Sequence, residues 1–272
     1  MQRMSINGLT LFFDAKDQDA ADLISHACKK STGLIQGCLG LDTPKDCQIH
    51  VMTSWPGFMF RSAPWPWKVL LAVTLPVWAF RARKIWPLAG GWAQRYGQRR
   101  AVGVKPPRLL QIADKRIGDR IFVREEDIGR KVQSITCHEL THAFTSHLQL
   151  PTWLNEGLAM VMVDRFFDKP TVLSETIDVL ERWSGKHSPG GRQKLRVGDE
   201  DALVYLYVRG YWLTRYIEET QREVLKDLLS QRHPHKELEG KIAAAYGKEL
   251  GEFWDEINGT LVSHFKQKSE AE

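Results

Sequence analysis

Val132-Gln133-Ser134-Ile135-Thr136-Cys137-His138-Glu139-Leu140-Thr141-His142-Ala143-Phe144 is the stretch from which this chain is read. Val132, Ile135, Ala143 and Phe144 recur with helical spacing, and the helix is expected from about Ile128 to His147. Residues four apart share one face of a helix, so His138 and His142 can point at a single metal ion. Glu139 is displaced by one position. It stands beside the ion rather than on it, where a carboxylate can take a proton from an activated water. Upstream, Arg108–Ala113 and Asp119–Val123 read as two strands joined by Asp114-Lys115-Arg116-Ile117-Gly118, so the helix is expected to follow directly on a strand pair.

Downstream stands Pro151-Thr152-Trp153-Leu154-Asn155-Glu156-Gly157-Leu158-Ala159. Thirteen residues separate His142 from Glu156. That length accommodates a turn and the start of a second, antiparallel helix, which makes Glu156 the candidate third ligand. Two His and one Glu form a catalytic zinc set that leaves a fourth position open.

With these residues in place, the chain resembles the gluzincin metallopeptidases of the thermolysin-like, peptidase MA-like clan. Trp-Leu-Asn-Glu-Gly at 153–157 is similar to the string of the zinc aminopeptidases in that clan. The resemblance implies a zincin-like fold, His138, His142 and Glu156 as Zn2+ ligands, and Glu139 as general base. Tyr207-Val208-Arg209-Gly210 has the Y-x-x-G shape that in those aminopeptidases carries an oxyanion-stabilising tyrosine. Tyr207 is the candidate for that role, with Tyr205 and Tyr211 as competitors, against a plain packing role for all three. The G-x-M-x-N strand that holds a substrate's free amino group in the aminopeptidases is missing. Gly90-Gly91-Trp92-Ala93 is the nearest glycine-rich string, so aminopeptidase specificity does not carry over. Met160, four residues after Glu156, cannot orient a ligand imidazole, and Asp164 is a distant candidate for that task. His147 and His187 are expected at the surface.

The remaining pattern is mixed strand and helix first, then helices. Leu9–Phe13 and Gln48–Met52 read as strands, and Asp17 to about Gln36 as a helix. Helices are expected at about Trp153–Phe167, Val172–Trp183, Ala202–Glu219, Arg222–Gln231, Lys236–Tyr246 and Glu249–Lys266, with a polar loop over Ser184–Asp201. The expected fold class is α+β: one domain over 1–272, with an α+β lobe at 1–147 and a helical lobe at 148–266. At 272 residues, 43% hydrophobic and 26% charged, the chain is neither disordered, collagen-like nor coiled-coil.

Charge is unevenly spread. Between Asp46 and Asp114 there are ten Lys or Arg, no acidic residue and six of the ten Trp, so the remainder of the chain is net acidic although the whole carries +5. At the centre lies an apolar run, Val69–Phe80, containing Pro76. Twelve residues are short of the roughly 20 that cross a bilayer, but tryptophan and basic residues around a short apolar run suit a membrane interface. Residues of about 55–100 are therefore expected to form an insertion that either contacts acidic lipid peripherally or packs as a hydrophobic hairpin over the cleft. Nucleic acid is a weaker reading, since no nucleic-acid motif accompanies the basic residues. Four scattered cysteines without a C-x-x-C fit a reducing, cytoplasmic compartment, and Met1–Gly8 lacks the apolar core of a secretory leader.

Two functions follow from these expectations. One is a zinc peptidase acting on a peptide or protein substrate. The other is a membrane-associated or regulatory binding protein that keeps the fold without hydrolysis. A purely binding protein has no chemical use for Glu139 between the two histidines, which favours the peptidase. Substrate identity, endo- against exopeptidase action and oligomeric state are left open by the sequence.

Overall fold

The computed structural model describes residues 1–111, 114–182 and 199–271. In chain order the elements are β1 (Gln2–Ile6), β2 (Leu9–Phe13), α1 (Gln18–Leu39), β3 (Cys47–Val51), α2 (Trp55–Ser62), α3 (Trp65–Ile85), β4 (Gly91–Tyr96), β5 (Arg99–Val104), α4 (Gly118–Ile121), α5 (Ile128–Thr145), α6 (Thr152–Phe167), α7 (Ile177–Arg182), α8 (Glu200–Thr220), α9 (Arg222–Ser230), α10 (His235–Ala245) and α11 (Leu250–Ala271). The class is α+β. The chain divides into two units, Met1–Asp114 with Arg124–Ser146, and Lys115–Val123 with His147–Glu272.

The first unit is built on a mixed sheet of order β1-β2-β3-β5-β4. Asn7 and Gly8, at φ 48° and 81°, close the β1–β2 hairpin, whose last pair is Ile6 with Leu9. Two adjacent residues at positive φ match the twist of the strands they join. β2–β3 and β3–β5 are parallel, and α1 makes the crossover between β2 and β3. β4 returns antiparallel on β5 around Gly97 and lies at one edge of the sheet. Side chains alternate across the pleat. Leu11, Ile49 and Val102 share one face, while Phe12, His50 and Gly103 share the other. On the second face His50 stacks on Phe12 and meets the edge of Phe58 from α2. A Cβ on Gly103 would lie 2.8 Å from Met52 Sδ and 3.0 Å from Phe58, so only glycine admits α2 this closely. α5 packs on α1, β4 and β5.

The second unit is helical. α6 is buried nearly all round, from Trp153 and Leu154 through Leu158–Val163 to Phe166, the signature of a central helix. It packs mainly on α8, and α7, α9 and α11 also pack on α8. Asp199 caps α8 by accepting a hydrogen bond from the Ala202 N–H.

Several expectations are corrected. Among the described residues, the strands expected at Arg108–Ala113 and Asp119–Val123 do not form. Arg108 sits in a 3-10 turn, Pro107–Leu109, after two prolines that stop regular pairing, and residues 112 and 113 lie outside the described residues. Gly118–Ile121 is a short helix of the second unit, held to α8 by ion pairs of Arg116 with Glu200 and Arg120 with Asp201, with one bridge from Phe122 to Val172. The strands next to α5 are β4 and β5, so the expected insertion of 55–100 ends inside the sheet. Its hydrophobic part forms two helices rather than a hairpin. The helix expected at Val172–Trp183 starts later, after a 3-10 turn at Ser174–Thr176, and most of the loop expected at Ser184–Asp201 lies outside the described residues.

Candidate metal centre

α5 starts where Asp127 accepts hydrogen bonds from the N–H groups of Gly129 and Arg130, at 2.8 and 3.2 Å. Val132, Thr136, Leu140, Ala143 and Phe144 form its buried stripe. The hydroxyls of Thr136, Thr141 and Thr145 enter the core without cost in unmet hydrogen bonds, because each donates to the carbonyl four residues earlier. Ile135, His138, Glu139 and His142, at i, i+3, i+4 and i+7, are left together on a half-buried face.

On that face His138 Nε2 and His142 Nε2 are 3.0 Å apart, with the rings edge to face. Two nitrogens bound tetrahedrally to one zinc stand about 3.3 Å apart. The pair is thus spaced for a shared ion once each ring carries its proton on Nδ1. β4 runs against the same face. A Cβ on Gly90 would come within 2.5 Å of Ile135 Cδ1, and one on Gly91 within 2.5 Å of Glu139 Cγ and 2.9 Å of its Oε1. Two successive glycines bring the edge strand onto the helix, and Glu139 lies directly over the Gly91 backbone. Arg95 at the far end of β4 donates to the Ser146 carbonyl at 2.9 Å, where a cation also meets the negative end of the α5 dipole.

In the second unit Glu156 lies early in α6. With Asn155 it forms a half-buried step in an otherwise buried stretch. Among the described residues, His138, His142 and Glu156 make up a set of ligand-type side chains that can hold a metal ion, each offering one atom. The donor set, two imidazoles and a carboxylate, suits zinc.

α6 is held by a close helix crossing. A Cβ on Gly157 would lie 2.2 Å from both the Gly210 carbonyl oxygen and Thr214 Oγ1, and one on Gly210 would lie 2.3 Å from the Trp153 carbonyl oxygen. The glycines of the two motifs, Trp-Leu-Asn-Glu-Gly and Tyr-Val-Arg-Gly, are thus partners in one contact.

The three tyrosines of α8 have different surroundings. Tyr211 donates to Asp164 Oδ2 at 2.6 Å and accepts from Arg215 at 3.1 Å, and burial together with the Asp164 charge drives its pKa upward. Tyr205 is buried, and its hydroxyl accepts from Asn258 at 2.9 Å. Tyr207 is half-buried. Asp164 takes hydrogen bonds from Thr171 N–H and Oγ1, at 2.7 and 2.6 Å, as well as from Tyr211, while burial raises its pKa. Those bonds account for Asp164 within α6 and α8. His147 is exposed, and His187 lies outside the described residues.

Sequence reasoning missed β4 as part of this site. The signal was Gly90-Gly91 ahead of Trp92-Ala93-Gln94-Arg95-Tyr96 and the Gly97 turn, a hairpin arm. Compared with protein-family models, the chain matches none, and a search of curated proteins returns no match.

Proposed function

We propose that the chain is a zinc-dependent peptidase of the gluzincin type with a zincin-like fold. The reading is carried by one observation: two imidazole nitrogens 3.0 Å apart on α5 flank a glutamate that lies over an edge strand. His138, His142 and Glu156 hold the ion. Lewis acidity is what zinc supplies here, polarising a carbonyl oxygen and acidifying water. Glu139 handles the proton, accepting it from the attacking water and returning it to the departing amine nitrogen. Tyr207 is assigned to the developing oxyanion on the resemblance of Tyr207-Val208-Arg209-Gly210 to the Y-x-x-G of the zinc aminopeptidases.

A peptide in extended form is the substrate class that suits β4. An edge strand offers backbone N–H and C=O groups to which such a segment adds by strand pairing.

The test combines metal analysis with hydrolysis of denatured casein by the full chain. Wild type and Glu139→Gln carry about one zinc each. Glu139→Gln loses at least about 100-fold in kcat, since the amide cannot take the proton. His138→Ala loses the metal and activity together, and a chelator abolishes wild-type activity until zinc is restored. Folded wild-type protein without zinc after zinc-replete growth, or a Glu139→Gln variant at the wild-type rate, refutes the reading.

A further inference from the structure

Of the ten basic residues between Asp46 and Asp114, six are engaged inside the first unit. Arg61 pairs with Asp14, Arg99 with Asp46 and Arg108 with Asp17. Arg95 donates to the carbonyls of Gly97 and Ser146, Arg100 to those of Gly97 and Gln98, and Lys105 to that of Trp86. The other four, Lys68, Arg81, Arg83 and Lys84, all belong to α3. Lys68 and Arg83 have no ion-pair partner among the described residues, and Arg83 is exposed.

α3 is apolar on both sides. Leu71, Ala82 and Trp86 just beyond its end pack on the cluster of Trp55, Phe58, Met59 and Tyr96. On the opposite side Trp65, Val69, Val73 and Val77 recur every four residues with relative exposures of 75, 54, 75 and 65%. Leu70, at 52%, borders that stripe. A helix lying on a domain in water presents a polar outer face, and this one presents valines and tryptophan. The helix is about 31 Å long, yet no helix among the described residues is long and apolar enough to cross a membrane. A stripe of aliphatic residues with Trp at its start and Lys or Arg near both ends, and no acidic residue anywhere in the helix, matches the interface of an anionic bilayer.

We propose that α3 is an in-plane membrane anchor, inserting Trp65, Val69, Val73 and Val77 between the headgroups of an anionic lipid surface. Lys68 and Arg83 lie at headgroup level. This inference is independent of the metal centre.

Flotation of the full chain tests it, with phosphatidylcholine vesicles made with and without phosphatidylserine, at low and high salt. Wild type floats with phosphatidylserine vesicles at low salt, and floats less at high salt. The double variant Val73→Glu/Val77→Glu, whose side chains point away from the core, retains the wild-type circular dichroism and loses at least about tenfold in vesicle affinity. Arg83→Glu alone weakens binding about fivefold or more. Absence of flotation with either vesicle at low salt overturns the proposal. So does flotation undiminished in the valine variant. Self-association without lipid that Val73→Glu/Val77→Glu abolishes, together with no flotation, also overturns it and makes the stripe a contact between copies of this chain.

Discussion

Gly157→Ala is the change that most directly probes how α6, and with it Glu156, is held. An added Cβ would stand 2.2 Å from the Gly210 carbonyl oxygen, against about 3.4 Å for an ordinary contact, so α6 and α8 must part by about 1.2 Å. Backbone atoms cannot rotate away as a side chain can. Overpacking of this kind costs roughly 1–3 kcal/mol and sometimes more, and with backbone on the other side we take the upper figure. Alanine is the better helix former by about 1 kcal/mol, which offsets part of that. The net expectation is about 2 kcal/mol of destabilisation, or roughly 4–8 °C in Tm for a unit of this size. Gly33→Ala in α1 is the control, since its Cβ meets nothing within 4 Å and the helix-forming gain acts alone, raising stability by about 0.5–1 kcal/mol. Gly157→Ala with Gly210→Ala should cost less than the two changes separately, because the same gap accommodates both. Thermal melts of the wild type and the four variants, Gly210→Ala alone among them, read this out. A Gly157→Ala protein as stable as wild type refutes the close crossing and the account of both motif glycines with it.

Two further predictions follow from the first unit. Gly91→Ala keeps the zinc but lowers kcat at least about tenfold, because its Cβ would stand 2.5 Å from Glu139 Cγ and must swing the carboxylate aside; unchanged kcat in a zinc-loaded variant contradicts the placement of Glu139 against β4. His50 is buried, and its pKa falls from 6.5 to about 4, through loss of hydration first and the nearby Arg61 and Arg99 second. The unfolded chain therefore takes up a proton near pH 6.5 that the folded chain refuses until about pH 4, and stability falls as pH drops through that window, by up to about 3 kcal/mol. Urea unfolding at several pH values should show a shallower slope in His50→Phe, and an identical slope in the two proteins rules out His50 as its source.

The parts that were legible in the sequence are those whose information is local. The α5 face needs only a 3.6-residue period, which Val132, Ile135, Ala143 and Phe144 and the spacing of His138 and His142 supply. The central position of α6 follows from a run, Leu158–Val163, with no polar side to present to water. Asn7-Gly8 is a local signal of the same kind, the dipeptide that closes a two-residue hairpin, but the first strand expected from the sequence starts at Leu9 and passes over β1. The strand expected at 108–113 overlooked a local signal, Pro106-Pro107, and the one at 119–123 failed for the opposite reason. Ile117, Ile121 and Val123 have strand-like composition, but their partners are distant in sequence: Ile121 is buried, α4 packs on α8, and Arg116 and Arg120 pair with residues some 80 positions away. Propensity is weak against tertiary partners of that kind.

Glycine carries the information that separates a motif from a site. His138, Glu139, His142 and Glu156 are recognised by their functional groups, so a sequence announces them. Gly91, Gly157 and Gly210 act through the side chain they lack, and what each would collide with is backbone or side chain from another element. Read singly, Gly157 closes one motif and Gly210 ends another; set opposite each other, they let α6 and α8 approach until each one's missing Cβ is the other's space. The same logic links Gly91 to Glu139. A carboxylate laid over a glycine in an edge strand is packed close to the backbone that an extended peptide would pair with. The reactive side chains thus set what chemistry is available, while the glycines set how closely α5 meets β4 and α6 meets α8. If the proposed peptidase reading holds, a substitution at Gly91 should for that reason disturb turnover while His138, His142 and Glu156 stay as they are.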